Sequence, residues 1–248
     1  MTPSGNRQRY VEAVNTYVAT HLVRADESSR EGDASSWFRT GGPSDELNGV
    51  LRLGGDLPYE IARLRDLFDG VPASWHVWRE IDPPEIAELL ARHGLAVFET
   101  EPLMVFTDKG SHLALGQGEL ARIEEVSDES GLAQWAALWS GVPGAAALAA
   151  GLRQAMRLGS TRYLVWREHG AVLGCAAVVT SAAGASIEHI VTRADRRGRG
   201  IGTALTQRAL ELALESGSDH VVLTASPDGE HIYRRLGFVT VGHVDRYA

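Results

Sequence analysis

The sequence predicts an α/β protein, an α+β mixed sheet carried in two tandem halves, and three observations predict it. Short β-branched runs alternate with amphipathic helical patterns along the whole chain. The strand Ile187–Thr192 runs into a basic, glycine-punctuated loop, Arg193–Gly202, and a helix opens at about Thr203. The order strand, helix, strand, helix, strand, strand runs from Ile187 to Tyr247, and the N-terminal half already carries it about 143 residues earlier. There Leu90-Ala91-Arg92-His93-Gly94-Leu95 stands beside Tyr233-Arg234-Arg235-Leu236-Gly237-Phe238, with the glycine at a helix exit in both. The expected boundaries are 1–116 and 117–248.

Taken in order, Tyr10, Val14, Tyr17, Val18 and His21 recur at helical spacing and predict a helix over 6–23. Arg24–Ser36 is charged, small and without pattern, so a loop. Trp37-Phe38 and Val50–Leu53 read as short strands. Pro58 then starts a helix with Ile61, Leu64 and Phe68 on one face. Trp75–Trp78 alternates as a strand, and Asp82 is the expected N-cap of a helix ending at Gly94. Leu95–Glu99 and Leu103–Thr107 close the half as a pair of strands, and Asp108–Gly118 is the linker. The second half opens with a strand, Leu120–Val126, and a helix capped by Asp128 that carries Trp135 and Trp139. A Gly-Val-Pro-Gly break at 141–144 precedes an alanine-rich helix, Ala145–Leu158. Strands Tyr163–Glu168 and Val172–Thr180 pair across His169-Gly170. The helix after the glycine loop leads to a strand, His220–Ala225, a helix carrying Tyr233, and a last strand ending near Tyr247.

Composition sets outer bounds. The net charge is −8, and most of the acidic excess falls in residues 1–116. That balance disfavours nucleic acid as a partner and mildly favours cationic substrates. No apolar run approaches the ~18 residues of a membrane span, and the N-terminus lacks a basic-then-apolar leader pattern. Cys175 is the only cysteine, which excludes an intramolecular disulfide, and a reduced cytoplasm is the expected location. The nine histidines form no ligand spacing, so no metal is expected. Lys109 is the only lysine among 24 basic residues, as in proteins of GC-rich bacterial genomes.

The loop reads Arg196-Arg197-Gly198-Arg199-Gly200-Ile201-Gly202. Glycines at alternate positions let backbone N–H groups approach a ligand, the helix start adds unpaired N–H groups, and arginines add charge. Together they suit phosphate. A P-loop needs a lysine that is absent here, and the dinucleotide pattern Gly-x-Gly-x-x-Gly lacks its last interval. What fits is Arg-x-x-Gly-x-Gly over Arg197–Gly202, which resembles the acetyl-CoA pyrophosphate loop of the GNAT superfamily of N-acetyltransferases. Downstream, Ile232-Tyr233-Arg234-Arg235-Leu236-Gly237-Phe238 is similar to that family's second signature. The resemblance covers roughly residues 118–248. The first half reads as a degenerate GNAT-like copy, with Leu90 where Tyr233 stands and no arginine-glycine loop.

The resemblance implies an acetyl-CoA-dependent N-acetyltransferase, with acetyl-CoA as cosubstrate. Arg197, Gly198, Arg199, Gly200, Ile201, Gly202 and Thr203 would hold the pyrophosphate. The main chain of Ile190, Val191 and Thr192 would orient the thioester. Ser226 stands where many members place an asparagine that contacts pantetheine. Tyr233 matches the family tyrosine that protonates the departing thiolate. Glu188 matches an acidic position proposed as base through water, and His189 is a second candidate because its ordinary pKa suits the task. Strand alternation puts Glu188, Ile190 and Thr192 on one face and Ile187, His189 and Val191 on the other. Trp135 and Trp139 either line a substrate pocket or belong to the core. Cys175 reads as a buried strand residue, which favours direct attack by a primary amine, on a small molecule or a peptide, over an acyl-enzyme. A monomer or homodimer fits, the first half completing the acceptor site or replacing a partner subunit. The other class is a non-catalytic acyl-CoA-binding regulatory module.

Overall fold

The computed structural model describes residues 3–25, 27–29, 33–107, 115–141 and 146–248. Most of the linker read over Asp108–Gly118, and the break at 141–144 apart from Gly141, lie outside them. The chain opens with helix α1 (Pro3–Leu22), then strands β1 (Glu27–Ser28), β2 (Ser36–Arg39) and β3 (Asn48–Arg52). Helix α2 (Leu57–Leu67), strand β4 (Ser74–Trp78), helix α3 (Glu85–Arg92) and strand β5 (Val97–Phe106) complete the first half. The second half runs α4 (Gln117–Leu120), β6 (Ile123–Glu125), α5 (Glu129–Ser140), α6 (Ala146–Arg157), β7 (Thr161–Glu168), β8 (Ala171–Ser181) and β9 (Gly184–Thr192). It ends with α7 (Ile201–Glu215), β10 (Val221–Thr224), α8 (Glu230–Arg235) and β11 (Phe238–Tyr247).

The eleven strands among the described residues form one sheet, in the order β1-β2-β3-β4-β11-β5-β10-β9-β8-β7-β6. The closing strands of the halves are exchanged. β5 lies between β10 and β11, antiparallel to both, with Val105 opposite Val222 on one side and Val239 on the other. β11 in turn lies between β4 and β5. The pair of strands expected at the end of the first half is a single long strand, and its partner comes from the other half. Withdrawing either half would leave an unpaired central edge in the other. Pro102, which has no N–H to give the ladder, sits beside a register shift between Thr240 and Gly242.

The two faces of the sheet are told apart by β10. Val221 and Leu223 join the core beneath α7 and α8, while Val222 joins the core beneath α1. α1 therefore crosses the centre of the sheet, over strands of both halves. Its approach depends on Gly242: a Cβ there would lie 2.3 Å from Cε2 of Tyr10. The Tyr10 hydroxyl donates to the carbonyl of His243 at 2.6 Å. α5 and α6 extend this layer over β7 and β8, with Trp135 wholly buried among them. α2 and α3 cover β3 and β4 through Ile61, Leu64, Ile86 and Leu90.

Two local expectations change. Residues 117–120 are a helical turn rather than strand, because Glu119 reaches back to accept the Gly116 N–H at 2.9 Å; the strand is only Ile123–Glu125. Asp82 does not cap α3: its carboxylate accepts the Trp78 N–H at 2.8 Å, and α3 follows Pro84 with no side-chain cap. No helix among the described residues is long and apolar enough to cross a membrane.

Candidate active site

β9 and β10 pair in parallel only at Ala185–Val221 and Ser186–Val222. Beyond Ser186 the strands part, and β9 presents backbone groups with no strand partner on that side. The loop after β9 turns on Gly198 and Gly200, at φ +74 and +81, values that disfavour any side chain. Gly200 caps α7 without a side-chain hydrogen bond, and the first helical bond runs from the Ala204 N–H to the Gly200 carbonyl at 2.9 Å. The preceding N–H groups of Ile201, Gly202 and Thr203 therefore lack intrahelical partners. They border a groove of about 790 Å³ walled by β9, α7 and α8. Nothing lies within 4 Å of a Cβ built at Gly198 or Gly200, so the cradle is open to a ligand.

The groove is lined by Ile190, Val191, Thr192, Arg197, Gly198, Gly200, Ile201, Gly202, Thr203 and Ser226. Arg199 is exposed and lies outside that lining, and Arg196 is engaged by Asp195 at 3.4 Å. Arg197 leans back toward the Thr192 carbonyl, 3.4 Å away. Arg235 lines the groove as well, a cation that the loop motif does not reveal. Ser226 accepts the Gly229 N–H at 3.3 Å, so it also shapes the turn into α8.

A second cleft, of about 240 Å³, shares Ile190, Val191, Ser226 and Tyr233 with the groove. The two meet where β9 leaves β10. The first half supplies much of its wall: Tyr17, His21 and Arg24 from α1 and its exit, Glu46, His76 from β4, and Glu99 and Glu101 from β5. The exchange of β5 and β11 brings these residues to the second half's splayed strand.

Simple alternation fails on β9. Ala177 faces Glu188 and Cys175 faces Val191, so His189 and Ile190 together oppose one residue, and His189 takes φ +55. Ile187 and Ile190 pack on the α7 side, while Val191 joins the core on the opposite side and His189 meets Trp135 and Trp139 there. Glu188 thus does not share a face with Ile190. The bulge also fixes His189: Nδ1 lies 3.1 Å from Glu46, and Nε2 lies 3.1 Å from Nη2 of Arg24. A guanidinium can only donate, so Nε2 is the acceptor and its lone pair is taken. In this arrangement His189 is not a free base. The tryptophan pair divides: Trp135 is core, its indole donating to the Ala176 carbonyl, and Trp139 lines the cleft.

Burial governs the carboxyls here. Glu188 is buried, its Oε1 has no hydrogen-bond partner among the described residues, and desolvation lifts its pKa against the pull of Arg24. Desolvation also pushes Glu101 up to about 7, with Arg246 opposing and Glu99 adding. Glu46 goes the other way: its burial is outweighed by His189 and Arg246, which bring it down to about 2. Arg246 has Asp45, Glu46, Glu99 and Glu101 within 4 Å, the closest at 3.3 Å. Tyr233 is pushed up to about 12 by burial, then by Glu101 and Glu188, so its phenol keeps its proton. Gly229 makes room for it: a Cβ there would be 3.1 Å from the phenol oxygen. The Cys175 thiol is fully buried and its pKa is raised by that burial, so it is no nucleophile.

In the first half, α2 and the β3–β4 pair are filled in. α2 is capped by Asp56, whose carboxylate accepts the Tyr59 N–H at 3.3 Å and sets a negative charge where α7 leaves an open N-terminus. Beyond the backbone pairs of β3 and β4, the buried Trp78 indole donates to the Leu51 carbonyl at 2.8 Å. Among the described residues no group of three His, Cys, Asp or Glu side chains is placed to hold a metal ion.

Residues 142–247 match the family model of the acetyltransferase (GNAT) domain. A probable glucosamine 6-phosphate N-acetyltransferase 2 of Oryza sativa subsp. japonica is 38% identical over 56 residues, 23% of this chain and 34% of that protein. The match thus spans about a third of the curated relative's length. Among solved structures, a GCN5-related N-acetyltransferase from Kribbella flavida aligns with TM-score 0.67 and 17% identity, over 94% of this chain and 93% of that one. A GCN5-related N-acetyltransferase-like protein from Streptococcus suis gives 0.62 and 15%, over 99% of each. A tandem GNAT protein from the clavulanic acid biosynthesis pathway gives 0.58 and 16%, over 96% and 94%. At those identities the likeness is one of fold, extending over both halves.

Proposed function

We propose, from a GNAT acetyltransferase domain over residues 142–247, that this protein moves an acetyl group from acetyl-CoA to a primary amine by direct attack. The observation that carries the reading is the meeting of groove and cleft at Ile190, Val191, Ser226 and Tyr233. Acetyl-CoA supplies the acyl group as a thioester. The open N–H groups of Ile201–Thr203, with Arg197 and Arg235 beside them, suit its pyrophosphate. The unpaired edge of β9 suits an extended pantetheine. The acceptor amine occupies the cleft.

In the reaction the amine nitrogen bonds to the carbonyl carbon as the carbon–sulfur bond breaks, and the sulfur leaves with the bonding pair. Tyr233, held protonated at the junction, gives that sulfur a proton. The incoming amine is an ammonium at neutral pH and must first lose a proton. Glu188, with Oε1 unpartnered, takes it through water, and Glu101, titrating near 7, is the second group suited to the task. The net change is one amide and one thiol formed and one proton released. A regulatory binding module would need the groove alone; the polar cleft joined to it favours the enzyme. Release of thiol from acetyl-CoA over a panel of amines tests the reading, and silence with every amine class despite tight CoA binding would overturn it.

A further inference from the structure

The cleft holds two guanidiniums in opposite situations. Arg246 is charge-matched by four carboxylates within 4 Å, although its buried Nε makes no hydrogen bond among the described residues. Arg24 is 3% exposed, and among the described residues no carboxylate lies within ion-pair distance of it. Its Nη2 is spent on His189, at 3.1 Å, and its face lies 5.9 Å from the Phe38 ring centroid. Nη1 is buried and has no hydrogen-bond partner among the described residues. A buried cation with an unmade hydrogen bond is costly, and such groups are matched by counter-charge or ligand. The arrangement is also stiff, since the Glu46–His189–Arg24 chain fixes the guanidinium from behind.

Resting on the acetyltransferase reading, we infer that Arg24 is an anchor for a carboxylate on the acceptor, so that the substrate is an amino acid rather than a simple amine. The same cleft then serves both ends of a zwitterion. Arg24 Nη1 meets the carboxylate, and Glu188 and Glu101 border Tyr233, where the ammonium must give up its proton. Of the two cleft guanidiniums only Arg24 lacks an ion-paired carboxylate among the described residues, which matches one negative charge, and the surrounding carboxylates oppose a phosphate dianion. At about 240 Å³ the cleft is of a size for a small zwitterion.

The test is thiol release with matched sets: amino acids beside their carboxamides, their decarboxylated amines and amines bearing a phosphate. The carboxylate members should lead in kcat/KM by about 10- to 100-fold, the worth of a charge-assisted hydrogen bond. Arg24→Gln should collapse the acid-to-amide ratio to near unity, mainly through KM, and Arg24→Lys should restore part of it. Equal turnover of acid and amide by the unaltered protein, a preference for the phosphate, or a ratio unchanged in Arg24→Gln would overturn the anchor. The wild-type ratio needs no variant to fold. Calorimetry with N-acetyl amino acids and their amides separates the two readings. Arg24-dependent binding of the acid without turnover would sink the enzyme and keep the anchor, whereas turnover without acid preference does the reverse.

Discussion

Trp78 pairs with Val244 across β4 and β11, and Thr224 pairs with Leu103 across β10 and β5. Thr224 borders the open cleft, while Trp78 is wholly buried and binds the Leu51 carbonyl. With Asp56 capping α2, that helix offers no open N-terminus like that of α7. Titration calorimetry should therefore return one CoA per chain. Two sites of equal affinity would show that the first half still binds.

The loop itself is tested at Gly200. Its φ of +81 and its place at the start of α7 make Gly200→Val both strained and obstructive. CoA affinity should fall by at least ~100-fold, more than one charge-assisted hydrogen bond is worth. Unchanged affinity in a folded variant would remove the loop from the site.

Acid and base separate by pH. Tyr233→Phe should lower turnover ~100- to 10,000-fold while CoA binding barely changes. The kcat/KM profile should rise through about pH 7 if Glu101 is the base. Glu101→Gln then erases that limb, whereas loss of the limb in Glu188→Gln alone assigns the proton to Glu188. Tyr233→Phe should leave the limb in place.

Glu101 also leaves a mark on stability. Its folded pKa of about 7 lies above the ordinary 4.5, so the folded state binds the proton more tightly. That contribution is fully present below pH 4.5 and lost as pH rises through 7. Its upper size is roughly 3 kcal/mol, at about 1.36 per unit. Denaturant titrations of the protein and of Glu101→Gln should diverge across this window, the variant losing less stability. Parallel curves would mean that the carboxyl is not desolvated.

The exchange of strands is tested at Gly242. A Cβ there meets the Tyr10 ring at 2.3 Å, so Gly242→Ala should cost about 1–3 kcal/mol through overpacking. Residues 117–248 expressed alone lack β5 and should not form a stable monomer, because β10 and β11 would lose their shared neighbour. A folded, monomeric half would refute this.

Much was decided by the sequence alone. Gly198 and Gly200 take left-handed backbone without penalty, and Tyr233 and Gly237 follow at a spacing that suits a short helix. Such signals are local, set by a few residues and their own dihedrals, so the groove was legible along with most helices and strands. The tertiary structure decided the rest. Nothing near Glu101 or Arg24 in the chain reveals that β5 and α1 reach the other half's splayed strand; that follows from the exchange of β5 and β11. Nor does alternation reveal the bulge at His189, because the extra residue is set by pairing with β8. The glycine loop is written in adjacent residues. The cleft beside it exists only once strands more than a hundred residues apart share one sheet.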